Sequence, residues 1–170
     1  MWKYQGQQRP PFAEVPGPRQ ESVWDYPRPP AIVTDTRLVE VLHDGVVLAR
    51  SRATRRVLET ASPPTFYLPR SDVDLSRLVA AAGSSFCEWK GAASYWALAA
   101  APEAGAVGWS YQDATAGFEV IEGALSFYPG RVACFVDGER VRPQPGQFYG
   151  GWLTNEIVGP CKGAPGSGHW

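Results

Sequence analysis

Two Asp-Gly pairs restrict the folds available to this chain more than any other feature of its sequence. Asp44-Gly45 separates two runs rich in β-branched residues, 38–42 and 46–49. Asp137-Gly138 directly follows another strand-like run, 131–136. An Asp-Gly pair readily adopts the positive φ values of a two-residue hairpin turn, and β-branched residues favour strands. The sequence therefore predicts a β-hairpin at each pair.

The remaining regular structure is also predicted to consist of short strands, with little helix. Strands are predicted at residues 55–60, 65–68, 85–91, 92–99, 106–111 and 124–128. Ser71 is a candidate helix N-cap and predicts a short helix to about residue 81, which Gly83 would end. A further helical turn is predicted around 116–121. Because helices and strands do not alternate, we expect a mainly β fold, an antiparallel β-rich single domain with one or two short helices.

Length and proline distribution divide the chain into three segments. At 170 residues it has the size of one domain. Seven of the sixteen prolines fall within the first 30 residues, which predicts a flexible Pro-rich arm over 1–20. We expect the β-rich domain to span 21–142. The Gly- and Pro-rich extension at 143–170 carries Phe148, Trp152 and other apolar residues, so it is predicted to be partly docked.

Charge and cysteine content argue against several classes of partner. The formal net charge of −1 disfavours binding to nucleic acid or to an acidic membrane surface, and no segment approaches the roughly 20 apolar residues of a membrane span. Three widely spaced cysteines without a Cys-x-x-Cys pair, and only two histidines, predict no disulfide framework, no metal site and no cofactor. We therefore expect a cytoplasmic protein, either a monomer or a homodimer.

Several motifs, taken in order along the chain, resemble one bacterial family. They are Trp24-Asp25-Tyr26-Pro27, Tyr67-Leu68-Pro69-Arg70, Cys87-Glu88-Trp89-Lys90-Gly91, Trp109-Ser110-Tyr111 and Ile121-Glu122-Gly123. Their order, from about residue 21 to 136, resembles the bacterial domain of unknown function 427 family, and the tail from Phe148 resembles the extension of its actinobacterial members. The resemblance implies a β-tent-like fold without the Cys-x-x-Cys zinc knuckles of other β-tent proteins, and it implies no known reaction.

Cys87 and Lys90 are the two candidate catalytic residues. A nearby ammonium makes a thiol more reactive because the positive charge favours the thiolate. Lys90 is one of three lysines beside thirteen arginines, and a lysine provides a compact donor. On one continuous strand Lys90 would face away from Cys87 and Trp89 unless a bulge near Gly91 turned it. A buried Cys87 without reactivity, and a surface Lys90 stacked on Trp89, remain open alternatives.

Seven aromatic residues are the candidate ligand-binding residues. They are Trp24, Tyr26, Tyr67, Trp89, Tyr95, Trp109 and Tyr111. Trp and Tyr each combine a flat apolar face with one polar group, which suits a pocket for a flat or apolar small molecule. Aromatic residues of a β-rich protein also form its core, so only part of this set is expected to line a site.

These residues support three hypotheses on function. The first is a small-molecule-binding domain with an aromatic pocket, whose ligand the sequence does not identify. The second is a small-molecule enzyme that uses Cys87, Lys90 or both. The third is a protein-interaction module with exposed aromatic residues on the Pro-rich arm.

Overall fold

Short β-strands provide most of the regular structure of the protein. The computed structural model describes residues 2–170. Within that range the strands are β1 (Glu21–Ser22), β2 (Ala31–Asp35), β3 (Val39–His43), β4 (Val46–Ser51), β5 (Thr54–Leu58), β6 (Thr65–Tyr67), β7 (Leu78–Cys87), β8 (Gly91–Leu98), β9 (Ala106–Tyr111), β10 (Leu125–Phe127), β11 (Ala133–Val136), β12 (Glu139–Arg140), β13 (Arg142–Pro143), β14 (Trp152–Leu153) and β15 (Ile157–Val158). The helices of the same range are 3-10 turns at Val23–Asp25, Arg70–Asp72, Leu75–Arg77, Pro102–Ala104 and Glu119–Ile121. The predicted mainly β fold is confirmed. No helix in residues 2–170 is both long and apolar enough to cross a membrane.

Three antiparallel sheets form the body of the fold. The first has the strand order β10-β9-β8-β7, the second β12-β11-β3-β4, and the third β2-β5-β6. A bridge between Leu68 and Leu125 joins the end of β6 to β10, so the first and third sheets are continuous at this point. The strand pairs β1-β15 and β13-β14 tie the C-terminal extension to the rest of the chain.

Both Asp-Gly pairs form hairpin turns, as predicted. Asp44 and Gly45 have φ angles of 48° and 76° and connect β3 to β4. Asp137 and Gly138 have φ angles of 46° and 81° and connect β11 to β12. Positive φ at both central residues gives a turn whose twist matches that of the flanking strands.

The short helix predicted over residues 71–81 is wrong. Two 3-10 turns occupy its first part, and β7 begins at Leu78, which pairs with Leu98 of β8. Asp74 caps the second turn with its side chain. The helical conformation does not continue beyond this turn, because β-pairing places Leu78 in the hydrophobic core. Gly83, with a φ of 91°, lies at an irregularity in the β7–β8 pairing and ends no helix.

The C-terminal extension contributes to the main hydrophobic core. Trp152 of β14 is fully buried among residues of all three sheets. Its ring stacks on Phe66 with the centroids 4.9 Å apart, and its indole N–H donates to the Phe127 carbonyl at 2.9 Å. Its main-chain N–H donates to the Pro64 carbonyl at 2.8 Å. These contacts hold the extension beside β6 and β10.

The N-terminal arm packs against the end of the extension. Phe12 stacks on Trp170 with the ring centroids 5.1 Å apart, and both rings contact Trp24 edge-on. Arg9 forms an ion pair with Asp25 at 2.7 Å. The described residues of the arm thus have defined contacts, and the flexibility of the arm in solution stays a prediction.

Candidate functional site

A cavity of about 410 Å³ lies where the first and third sheets meet. Side chains alternate between the two faces of a strand, so most of the strand residues that line the cavity are spaced two apart. The lining residues that follow this alternation are Val57 of β5, Thr65 and Tyr67 of β6, Ser85 and Cys87 of β7, Ala93 and Tyr95 of β8, and Trp109 and Tyr111 of β9. Phe86 of β7 also reaches the cavity, at its edge. The volume falls within the roughly 300–1,000 Å³ of small-molecule sites.

Four aromatic residues hold one another in place along the cavity wall. The Trp109 indole N–H donates a hydrogen bond to the Tyr67 hydroxyl at 3.1 Å. Tyr111 lies against Tyr67 with the ring centroids 6.3 Å apart, and Tyr128 lies against Trp109 at 4.6 Å. Burial raises the pKa of Tyr111 well above its ordinary value and raises the pKa of Tyr128 to about 12. Both phenols are therefore neutral near neutral pH and keep their O–H donors.

A tight turn brings Cys87, Trp89 and Lys90 to the same cavity. The strand predicted up to Gly91 is interrupted, because β7 ends at Cys87, a turn follows, and Gly91 begins β8 opposite Cys87. Thr115 fixes this turn: its N–H donates to the Lys90 carbonyl at 3.2 Å and its hydroxyl donates to the Trp89 carbonyl. Gly91 has a φ of 100°, which residues with a side chain rarely adopt. Lys90 thus reaches the cavity from a turn and not from the opposite face of a strand.

Lys90 is a buried ammonium in the cavity wall. The residue is 9% exposed, and its Nζ lies 5.7 Å from the centroid of the Tyr111 ring. It forms no ion pair with any carboxylate of residues 2–170. Burial acts to lower its pKa, but neighbouring Tyr67, Cys87 and Glu59 favour the ammonium, and the pKa is raised overall. Lys90 is therefore charged at neutral pH.

The two ends of the chain complete the cavity with a set of residues that we name the terminal wall. It consists of Trp2, Gln144, residues 148–151 and Lys162. The Trp2 indole N–H donates to Glu88 Oε1 at 2.8 Å, and the Lys162 Nζ lies 4.2 Å from the Trp2 ring centroid. Burial and the nearby Arg28 guanidinium lower the pKa of Lys162.

The terminal wall lies directly on the aromatic residues of the sheet. A Cβ added to Gly150 would be only 2.2 Å from Cη2 of Trp109. The Gly151 N–H donates to Gln144 Oε1 at 3.0 Å, and the Gln144 side-chain amide donates to the Lys162 carbonyl at 2.7 Å. The close approach to Trp109 requires glycine at position 150. Through Gln144, the hydrogen bonds connect residues 148–151 to Lys162.

Most of the candidate site residues are brought together, and two are not. Those that line the cavity are Tyr67, Cys87, Trp89, Lys90, Tyr95, Trp109 and Tyr111. Trp24 and Tyr26 belong instead to a separate hydrophobic cluster, where they are 1% and 5% exposed. The 3-10 turn at Val23–Asp25, capped by the Ser22 side chain, directs Trp24 into this cluster. These two rings are buried in that cluster and do not line the cavity.

The terminal wall and the acidic residue Glu88 line the cavity but are not among the candidate residues identified from the sequence. Two signals for the terminal wall were present in the sequence. Lys162 is one of only three lysines, and Phe148-Tyr149 is an aromatic pair within a Gly- and Pro-rich segment. Neither signal indicates which part of the domain the segment contacts.

Comparison with known families agrees with the motif order. A family described as a domain of unknown function (DUF427) matches residues 31–138. The chain belongs to this family. The DUF427 match includes Cys87, Lys90 and the aromatic wall of the cavity, by which we mean Tyr67, Trp109, Tyr111 and Tyr128. The terminal wall lies outside the match. No curated protein matches the chain at a significant level.

Proposed function

We propose that the protein binds a small organic molecule with a flat, largely apolar body in this cavity. The observation that carries the proposal is the wall of mutually fixed aromatic rings around a volume of about 410 Å³. Binding to rings that already hold their positions loses little side-chain entropy. Phe86 and Phe148, which are 76% and 70% exposed, extend the apolar surface to the cavity edge.

Tryptophan emission provides a direct measurement of binding. Of the seven tryptophans, Trp2, Trp89 and Trp109 line the cavity. We expect neutral flat compounds such as 2-naphthamide to change the emission saturably, without a product being formed. The proposal fails if no flat aromatic compound, neutral or charged, gives a saturable change at millimolar concentration while the protein is folded.

Filling the cavity is expected to weaken binding of 2-naphthamide by about tenfold or more, since the ligand and the new side chain would occupy the same space. Thr65→Phe places a ring in the lining at a strand position that tolerates aromatic residues. Thr34→Phe is the matched control, because Thr34 is exposed on β2 of the same sheet and does not line the cavity. Calorimetric titration of both variants provides the comparison, and equal affinities would place the binding site elsewhere.

A second candidate function is catalysis by Cys87, and the position of its thiol beside the buried Lys90 ammonium favours it. Cys134 and Cys161 are buried, and burial raises the pKa of both thiols, that of Cys161 to about 12. We expect iodoacetamide near neutral pH to alkylate Cys87 faster than a free thiol and faster than the other two cysteines. Peptide mapping after timed labelling measures the rates. A Cys87 no faster than a free thiol would remove this candidate.

A further inference from the structure

The cavity lining contains two lysines and two glutamates, and both glutamates have contacts with groups other than these lysines. Its charged lining residues are Lys90, Lys162, Glu59 and Glu88. Glu59 is paired with the Arg28 guanidinium at 3.2 Å, and the Arg28 side chain is only 1% exposed. Glu88 is exposed and accepts the Trp2 indole N–H. Neither lysine forms an ion pair within residues 2–170.

Of the two lysines, Lys90 has the stronger need for an anionic partner. It is nine-tenths buried, and the groups near it are Tyr67, Tyr111, Cys87 and Glu59. Glu59 is the one carboxylate among them, and it is already paired with Arg28. Burying an ammonium without an anion costs several kcal/mol, so buried charges are normally paired. Lys162 already contacts the rings of Trp2 and Tyr149, and its Nζ lies 3.5 Å from the Trp170 carbonyl.

We infer that the ligand of this cavity is an aromatic organic acid, whose anionic group pairs with the Lys90 ammonium while its ring lies against the aromatic wall. The inference rests on the proposed small-molecule function and specifies the class of ligand. A carboxylate next to the Lys90 Nζ forms a charge-assisted hydrogen bond in a site largely removed from water, where such bonds are strongest.

A matched pair of compounds tests the charge alone. 2-Naphthoate and 2-naphthamide have nearly the same size and ring, and only the first is an anion. We expect the wild-type protein to bind the acid at least about tenfold more tightly than the amide, the effect of one hydrogen bond to a charged group. Acetate, which has the charge without the ring, is expected to bind far more weakly than 2-naphthoate.

Replacing Lys90 tests whether the carboxylate of 2-naphthoate binds beside the Lys90 ammonium. In Lys90→Met, which keeps the length of the side chain, we expect the preference for the acid to disappear and the affinity for the amide to stay within about twofold. Lys3→Met is the matched control and is expected to retain the preference, because Lys3 is exposed and does not line the cavity. A Lys90 with only a structural role predicts instead that the ratio of the two affinities is the same in Lys90→Met and in the wild type.

The outcomes separate the two proposals. If the amide binds the wild type as tightly as the acid, the cavity is a ligand site but the inference is overturned. If Lys90→Met keeps the preference for the acid, the anion lies elsewhere and the inference is also overturned. If neither compound nor any other flat aromatic compound binds the folded wild type, the small-molecule function itself fails.

Discussion

Replacing Trp152 with alanine is expected to lower the free energy of unfolding by about 3–5 kcal/mol, the usual effect of deleting a large aromatic ring from a core. Trp152 lies in the C-terminal extension, outside the family match, yet it has no exposed surface. The substitution removes the stack on Phe66 and leaves the Phe127 carbonyl without its indole donor. We therefore expect the extension and the sheets to unfold as one cooperative unit.

Urea unfolding followed by far-UV circular dichroism measures this effect. Trp170→Ala is the control, because Trp170 is a partly exposed ring at the chain end and its removal is expected to cost clearly less. The slope of the transition reports the surface exposed on unfolding. A loss below about 1 kcal/mol for Trp152→Ala, with a reduced slope, would show that the extension separates from the domain before the domain unfolds.

Gly150→Ala is expected to displace the terminal wall from the aromatic wall of the cavity. The new methyl group would overlap the Trp109 ring, since its Cβ position lies 2.2 Å from Cη2 and 2.6 Å from Cζ3. Overpacking of this kind costs about 1–3 kcal/mol of stability. Since Trp109 lines the cavity, we also expect the affinity for 2-naphthoate to fall by about tenfold or more.

Gly168→Ala is the matched control for this variant. Gly168 lies in the same extension, and a Cβ there would meet no other atom within 4 Å. The Trp109 indole N–H resonance, recorded in a proton–nitrogen correlation spectrum, reports the ring directly. Equal resonances, stabilities and affinities in the two variants would contradict the close contact between Gly150 and Trp109.

The aromatic wall was predictable because it follows from local pattern. Tyr67, Trp109 and Tyr111 lie in predicted strands. Because side chains alternate along a strand, Trp109 and Tyr111, two residues apart, face the cavity together. The two Asp-Gly turns were predictable for a similar reason, since the conformation of the turn depends on the turn residues themselves. Strand alternation and turn formation each depend on only a few neighbouring residues, so both can be predicted from the sequence.

The remaining features depend on contacts between distant residues. The helix predicted from the Ser71 N-cap does not form, because the chain becomes a strand at Leu78, which pairs with Leu98. Trp24 lies in a family-like motif but does not line the cavity, because the 3-10 turn at Val23–Asp25 directs its ring towards Phe12 and Trp170. Trp2, which lies outside these motifs, does line the cavity. Composition and spacing do not encode which of several tryptophans a terminal segment will cover.

The origin of the terminal wall has a practical consequence for protein engineering. The family segment, 31–138, supplies the aromatic residues of the strands and the Lys90 charge, while the parts of the chain outside it supply Trp2, Gly150 and Lys162. Exchanging the cavity-lining residues of the two ends between family members, with Trp152 and its core contacts kept, is then expected to alter ligand selectivity. Under the proposed function, we expect a ligand identified for one family member to apply to another only when the chain ends correspond as well as the matched segment.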